Sequence, residues 1–180
     1  MKDPILTSEA PKIRVLVVDD EANAREGLKD LLENWGYEVF SASDVRAGFE
    51  AVKRFQPAII LTDLKMPEND GMALVHLLKE EKLLELTHVV IISAHGSIDT
   101  AVEAVKIGVE EFLTKPLYVG RVKITLEKIS GRARVFEEML LLRDKVRKLG
   151  TFGKADPAQA GALYGEAPRG SLRRTNHWHE

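Results

Sequence analysis

Short apolar runs alternate with longer amphipathic stretches along the first two thirds of the chain, and each change of period marks an element boundary. Ile13–Val18 is a near-continuous apolar run that ends at Asp19-Asp20. Ala24, Leu28, Leu31, Leu32 and Trp35 then recur at helical spacing, with Gly36 placed to stop the helix. Tyr37–Ala42 reads as a second strand, and Val45, Phe49 and Val52 mark a second helix that starts after Ser43-Asp44 and is ended by Pro57. Ala58–Thr62 is a third strand, apolar enough to be covered on both faces, and Met72–Lys82 a third helix after the turn Asn69-Asp70-Gly71. Val89–Ser93 follows as the fourth strand. Ser97 can cap a helix whose Ile98, Ala101, Val102 and Val105 lie at i, i+3, i+4 and i+7, closed by Gly108. Phe112–Thr114 is a short fifth strand before Pro116, and Val122, Leu126 and Ile129 mark a fifth helix. Five strands alternating with five helices predict an α/β fold with a doubly wound, five-stranded parallel sheet.

Composition narrows the function classes. The chain has no cysteine, which excludes a disulfide scaffold, a Cys-based zinc site and a thiol enzyme. The aliphatic runs are far shorter than the ~20 residues of a membrane span, and Met1 to Ala10 lacks the apolar core of a signal peptide, so a soluble cytoplasmic protein is expected. The net charge of -2 hides a segregation: residues 1–131 carry a net -6, residues 132–149 a net +3 and residues 150–180 a net +1. An acidic first part argues against a nucleic-acid surface there, and the basic stretch is short enough to be a solvated helix face.

In a doubly wound sheet the site lies outside the carboxyl ends of the strands. Here those ends carry Asp19-Asp20, Asp63, Ser93 and Lys115. Singly, each has an ordinary explanation as a cap, a turn residue or an exposed cation. Jointly they deliver three carboxylates, a hydroxyl and an ammonium to one edge. Two like charges 4 Å apart repel by about 4 kcal/mol at an effective dielectric of 20, so such a cluster calls for a divalent cation as well as the lysine. All-oxygen ligands favour Mg²⁺ or Mn²⁺ over zinc, and Mg²⁺ characteristically completes its shell with a phosphoryl oxygen. Phosphoryl transfer to a carboxylate follows, with Asp63, alone at the end of the third strand, as the acceptor, and Asp19 and Asp20 on the metal. Lys115 would neutralise developing charge and Ser93 would donate to a phosphoryl oxygen.

With these residues in place, the sequence resembles the receiver domain of bacterial two-component response regulators. The resemblance rests on Val17-Val18-Asp19-Asp20-Glu21, Thr62-Asp63-Leu64-Lys65-Met66-Pro67 with Asp70-Gly71, Ile92-Ser93-Ala94, and Phe112-Leu113-Thr114-Lys115-Pro116, in family order over about residues 12–130. It implies a flavodoxin-like sheet of order 2-1-3-4-5 and a phosphoacceptor domain rather than an enzyme, able at most to phosphorylate itself and slowly lose the group. It further implies Asp63 as the phosphoacceptor, Asp20 as a direct metal ligand, Asp19 as a water-mediated one, and the Lys65 carbonyl as a further ligand. Ser93 falls at the switch hydroxyl, Ala94 at the small residue that leaves room for the phosphoryl group, Lys115 at the family lysine and Phe112 at the switch aromatic. The implied partner is a sensor histidine kinase. The implied output is a rearranged face formed by the fourth helix, fifth strand and fifth helix. Glu68 and Asn69 replace the Gly-Met common in the family, which bears on dephosphorylation or partner choice, and His95 reads as an ordinary loop histidine.

Beyond the domain, Val135, Met139, Leu142, Val146 and Leu149 alternate in steps of four and three, as in a coiled-coil seam, with Glu138 and Arg143 placed to pair across a parallel homodimer. An amphipathic extension packing on its own domain is the competing reading. The chain is thus expected to hold an N-terminal tail (1–11), a receiver (12–130), a linker or dimerisation helix (131–150) and a disordered or aberrant tail (151–180), with neither direct nucleic-acid nor membrane binding. A receiver running into such a linker resembles the NtrC-type, sigma-54-dependent activators. No G-x-x-x-x-G-K-[ST] occurs, so the ATPase of such activators is not expected here, nor the DNA-binding domain that follows it, and the chain reads as one end of a longer regulator. A stand-alone receiver acting by protein contact is the alternative. A haloacid-dehalogenase phosphatase would need a second acid two residues past the nucleophile, where Lys65 stands. A dinucleotide-binding module would need glycines after the first strand, where Asp19-Asp20-Glu21 would repel a pyrophosphate.

Overall fold

The computed structural model describes residues 11–68, 70–94 and 97–151; the tails outside them, His95 and the Leu149 side chain, about which expectations were formed, lie outside the described residues. The elements run β1 (Arg14–Val18), α1 (Ala22–Asn34), β2 (Glu38–Ala42), α2 (Val45–Phe55), β3 (Ile59–Asp63), α3 (Gly71–Glu80), β4 (His88–Ser93), α4 (Ile98–Ile107), β5 (Glu111–Thr114) and α5 (Val119–Thr151). A single 3-10 turn, Leu83–Glu85, follows α3 after Lys82 in a left-handed conformation; no turn signal in the sequence announced it. The sheet is parallel throughout, in the order β2-β1-β3-β4-β5 that the resemblance implied.

Burial explains the near-continuous apolar strands. Every residue of β3 is buried, because helices cover both faces of the sheet. One side packs Leu16, Val18, Ile60, Val89 and Ile91 against Leu74, Val75 and Leu78 of α3 and Val52 of α2. The other packs Val15, Val17, Leu61, Val90 and Ile92 against Leu32 of α1 and Val122, Leu126 and Ile129 of α5. Local chemistry sets the helix ends: Asp44, Asp70 and Ser97 each accept a backbone N–H of the following first turn, and α4 ends at Gly108 with φ +119°.

The apolar positions of α4 behave differently from those of the other helices. Ile98 is 83% exposed and Val105 62%, with Val102 also exposed, while Ala104 is the buried residue of the helix. Of the i, i+3, i+4, i+7 stripe that marked this helix, Ile98, Val102 and Val105 therefore face away from the core and Ala101 is half-buried.

The chain divides into two compact units, the first ending at Phe136 and the second starting at Glu137. Within the first, α5 is pinned by Tyr37, whose hydroxyl is 3.1 Å from Ser130 Oγ, and by Glu110, which contacts both Arg132 and His88. Burial alone would raise the Glu110 carboxyl, but the Arg132 and His88 partners outweigh it and hold it below the ordinary carboxylate value. The second unit carries Met139, Leu140, Leu141, Leu142 and Val146 exposed along its helix.

Candidate functional site

Strand register assembles the site. Val18 pairs with Thr62, so the next residues, Asp19 and Asp63, lie side by side at the ends of β1 and β3. Asp63 pairs with Ile92 and Ser93 with Thr114, which puts Ser93 and Lys115 at the same edge. The Lys115 N–H donates to the Ser93 carbonyl at 2.8 Å, extending the β4–β5 ladder by one bond.

The side chains converge as expected from the strand ends. Lys115 Nζ lies 2.7 Å from Asp63 Oδ2 and 3.4 Å from Asp19 Oδ2, bridging the two buried carboxylates. Asp20 is exposed, yet one oxygen from each of Asp19, Asp20 and Asp63 lies within 4.8 Å of the others. The Lys65 N–H reaches Asp63 Oδ1 at 3.3 Å, and the Glu21 N–H donates to Asp19 Oδ1 at 2.8 Å. Ser93 is buried at the neighbouring strand end, Ala94 is exposed beside it, and Phe112 is half-buried against the α3 side of the core.

Two further residues, one of them not singled out in the sequence, shape the site. Gly71 sits so close to the end of β3 that a Cβ there would lie 2.3 Å from the Asp63 carbonyl oxygen. Arg25, on α1, donates from Nη1 to the Asp19 carbonyl at 2.7 Å. Gly71 was legible as a turn residue and as part of the Asp70-Gly71 motif, but not for its closeness to β3, and no spacing rule connects Arg25 to a backbone atom six residues earlier.

Electrostatics favours a cation. Burial raises the Asp19 carboxyl, and the Asp63 charge adds to it, against the Glu21 N–H and Lys115 that lower it. Burial would lower Lys115, but its bonds and charges with Asp63 and Asp19 hold the ammonium above its ordinary value. The donor set fits a hard divalent ion: three carboxylates, no nitrogen or sulfur, with one acid open to solvent.

A consequence for stability follows from the sign of the Asp19 shift. A carboxyl whose pKa is higher folded than unfolded is charged at a disadvantage in the native state, so stability through this group rises as pH falls through the raised value. Asp19→Asn, which keeps an oxygen for the Glu21 N–H, is expected to raise the metal-free Tm at pH 7 by a few degrees and to flatten the gain on acidification. Mg²⁺ is expected to raise the Tm of the unsubstituted protein and to leave that of the variant unchanged. Thermal melts at several pH values, with and without Mg²⁺, check both; a variant no more stable at pH 7 would contradict the assignment.

A parallel sheet in the order β2-β1-β3-β4-β5 ending in a carboxylate cluster bridged by one lysine defines the class of α/β receiver-like proteins. The chain belongs to the response regulator receiver domain family, whose model matches residues 15–127. It is 41% identical over 117 residues to the transcriptional regulatory protein ZraR of Escherichia coli (strain K12), covering 64% of this chain and 26% of that one. It is 37% identical over 119 residues to the chemotaxis protein CheY of Thermotoga maritima, covering 65% of this chain and 97% of that one. Among solved structures, NtrX from Brucella abortus superposes with a TM-score of 0.64 at 29% identity, over 73% of this chain and 30% of that chain. The chain thus spans about a quarter of the length of ZraR. No helix among the described residues is long and apolar enough to cross a membrane.

Proposed function

We propose that residues 12–130 are a cytoplasmic phosphorylation switch of a two-component system, with Asp63 as phosphoacceptor for a sensor histidine kinase. The observation that carries this reading is the bridge from Lys115 Nζ to Asp63 and Asp19, with the Asp20 carboxylate in reach of both acids. An Asp63 oxygen attacks the phosphorus of the kinase phosphohistidine; the new O–P bond forms as the P–N bond breaks, and the imidazole leaves with a proton from solvent. Asp19, Asp20, Asp63 and the Lys65 carbonyl would hold Mg²⁺ or Mn²⁺, which when bound supplies charge neutralisation for the transferring group. Lys115 orients the acceptor and takes up charge on the phosphoryl oxygens, Ser93 donates to one of them, and Ala94 leaves the space.

Ser93 moving toward the phosphoryl group and Phe112 turning with it would then alter the face made by α4, β5 and α5. The exposed Ile98, Val102 and Val105 support this reading, since they give that face an apolar surface to present. Val135, Met139, Leu142 and Val146 are exposed as a pairing seam requires, and two copies joined along them form the proposed dimer. The ZraR and NtrX likenesses support transcriptional activation of the NtrC, sigma-54-dependent type as the output of a longer regulator. The nearly full-length match to CheY favours a second reading, a stand-alone receiver acting by protein contact.

Incubation with acetyl phosphate and Mg²⁺ is expected to add one phosphoryl mass that hydroxylamine removes, as an acyl phosphate on Asp63 requires and a serine ester would not allow. Size exclusion with and without beryllofluoride then reads whether the switch changes association. Absence of any labile adduct would sink the proposal, and a monomer under both conditions would remove the dimer. Sequencing the native locus downstream of codon 150 separates the activator from the stand-alone receiver.

A further inference from the structure

The Asp19 carbonyl has a partner that phosphoryl transfer does not account for. Arg25 reaches back from the first turns of α1, and its Nη1 donates to Asp19 O at 2.7 Å from a side chain only 16% exposed. Ordering a long charged side chain against a backbone oxygen loses rotamer entropy, so the bond needs a compensating role. Its acidic neighbour, Glu26, lies 3.8 Å from Nε, too far for a hydrogen bond.

What the bond braces is clear from its surroundings. Glu21, at the N-cap of α1, makes no side-chain cap, and the first turn holds no acidic residue. The turn is instead tied by the Asp19 N–H to the Ala42 carbonyl at 3.2 Å, by the Glu21 N–H to Asp19 Oδ1 at 2.8 Å, and by Arg25. Only the last grips the peptide plane between Asp19 and Asp20. Asp20 is exposed, and the plane sets where its Cα and Cβ stand and so limits where its carboxylate can reach.

We infer that Arg25 is a positioning residue for the cation-binding acids: by fixing the 19–20 peptide plane it aims Asp20 at the oxygens of Asp19 and Asp63. The inference rests on the reading of this cluster as a divalent-cation site. Charge and positioning make opposite predictions here. Removing a cation beside three carboxylates would tighten Mg²⁺ binding by Coulomb's law alone, whereas loss of the brace would weaken it.

Two measurements decide. In calorimetric titration with Mg²⁺ alone, Arg25→Ala is expected to raise Kd about 10-fold, as removal of a group orienting a metal ligand typically does, and Arg25→Lys, with one donor of similar reach, to recover most of it. In the metal-free protein, amide exchange at residues 20–22 is expected to quicken in Arg25→Ala while β1 and β3 stay protected. Unchanged or tighter Mg²⁺ binding overturns the inference, as does faster exchange spread through the sheet, which would mark a general structural role. Failure of the unsubstituted protein to bind Mg²⁺ overturns the reading of the cation site itself, while the metal-free exchange still decides whether Arg25 braces the turn.

Discussion

Asp63→Asn is expected to lose phosphoryl uptake from acetyl phosphate by on the order of 10³-fold or more, with the fold intact. The carboxamide nearly matches the carboxylate in shape, so the fully buried β3 and its neighbours keep their packing. What disappears is the proposed nucleophile, because an amide oxygen is a poor one and no acyl phosphate can form on it. The ion pair at 2.7 Å to Lys115 goes with it, leaving the ammonium with Asp19, now 3.4 Å away. Breaking that bond costs stability, while removing one of three acids within 4.8 Å relieves repulsion, so the change in Tm is expected to be small. Mass spectrometry after acetyl phosphate treatment, beside a thermal melt, checks both halves. A variant that still took up a hydroxylamine-labile group would place the acceptor elsewhere.

The site was legible in the sequence to the extent that a parallel sheet turns position along the chain into position in space. Once Ile13–Val18 and Ala58–Thr62 are read as strands, their next residues must emerge at one edge, and the register of Val18 with Thr62 makes Asp19 and Asp63 neighbours. Lys115 follows by the same rule from β5. Features set by tertiary contact were not legible. Periodicity marks α4 as amphipathic but says nothing of what covers its stripe, and Ile98 and Val105 prove exposed. Nor does it show that the fifth helix runs unbroken from Val119 to Thr151, through Gly120 and Gly131. Arg25 reads as one more polar residue on a solvated helix, because its partner is a backbone oxygen that only the β1–α1 turn brings near.

Gly71 shows the same gap between pattern and packing, and its substitution is the severest stability test of the site. In sequence it closes an Asn-Asp-Gly turn, where glycine is common for its backbone freedom. The structure gives a different reason. Its N–H donates to the Leu64 carbonyl at 2.8 Å, which draws the start of α3 against the end of β3. A Cβ built at Gly71 falls 2.3 Å from Asp63 O and 3.2 Å from both the Asp63 carbonyl carbon and Thr62 Oγ1. The closest of these is backbone, so no rotamer change relieves the clash. Either the Leu64 bond and the Asp70 cap on Ala73 give way, or the end of β3 moves and carries the acceptor with it. Gly71→Ala is therefore expected to lose about 3 kcal/mol of stability. In the molecules that fold, phosphorylation by acetyl phosphate should slow by roughly 10²-fold, the effect of a displacement near 1 Å at a reacting group. Gly27→Ala supplies the control: it lies within α1 with nothing within 4 Å of its Cβ, and it should gain about 0.5–1 kcal/mol by helix propensity alone. Denaturant unfolding of the two variants should thus move in opposite directions. Equal stability for Gly71→Ala and the unsubstituted protein would mean that β3 and α3 tolerate a separation the structure does not show, and that the acceptor is held less tightly than its contacts require.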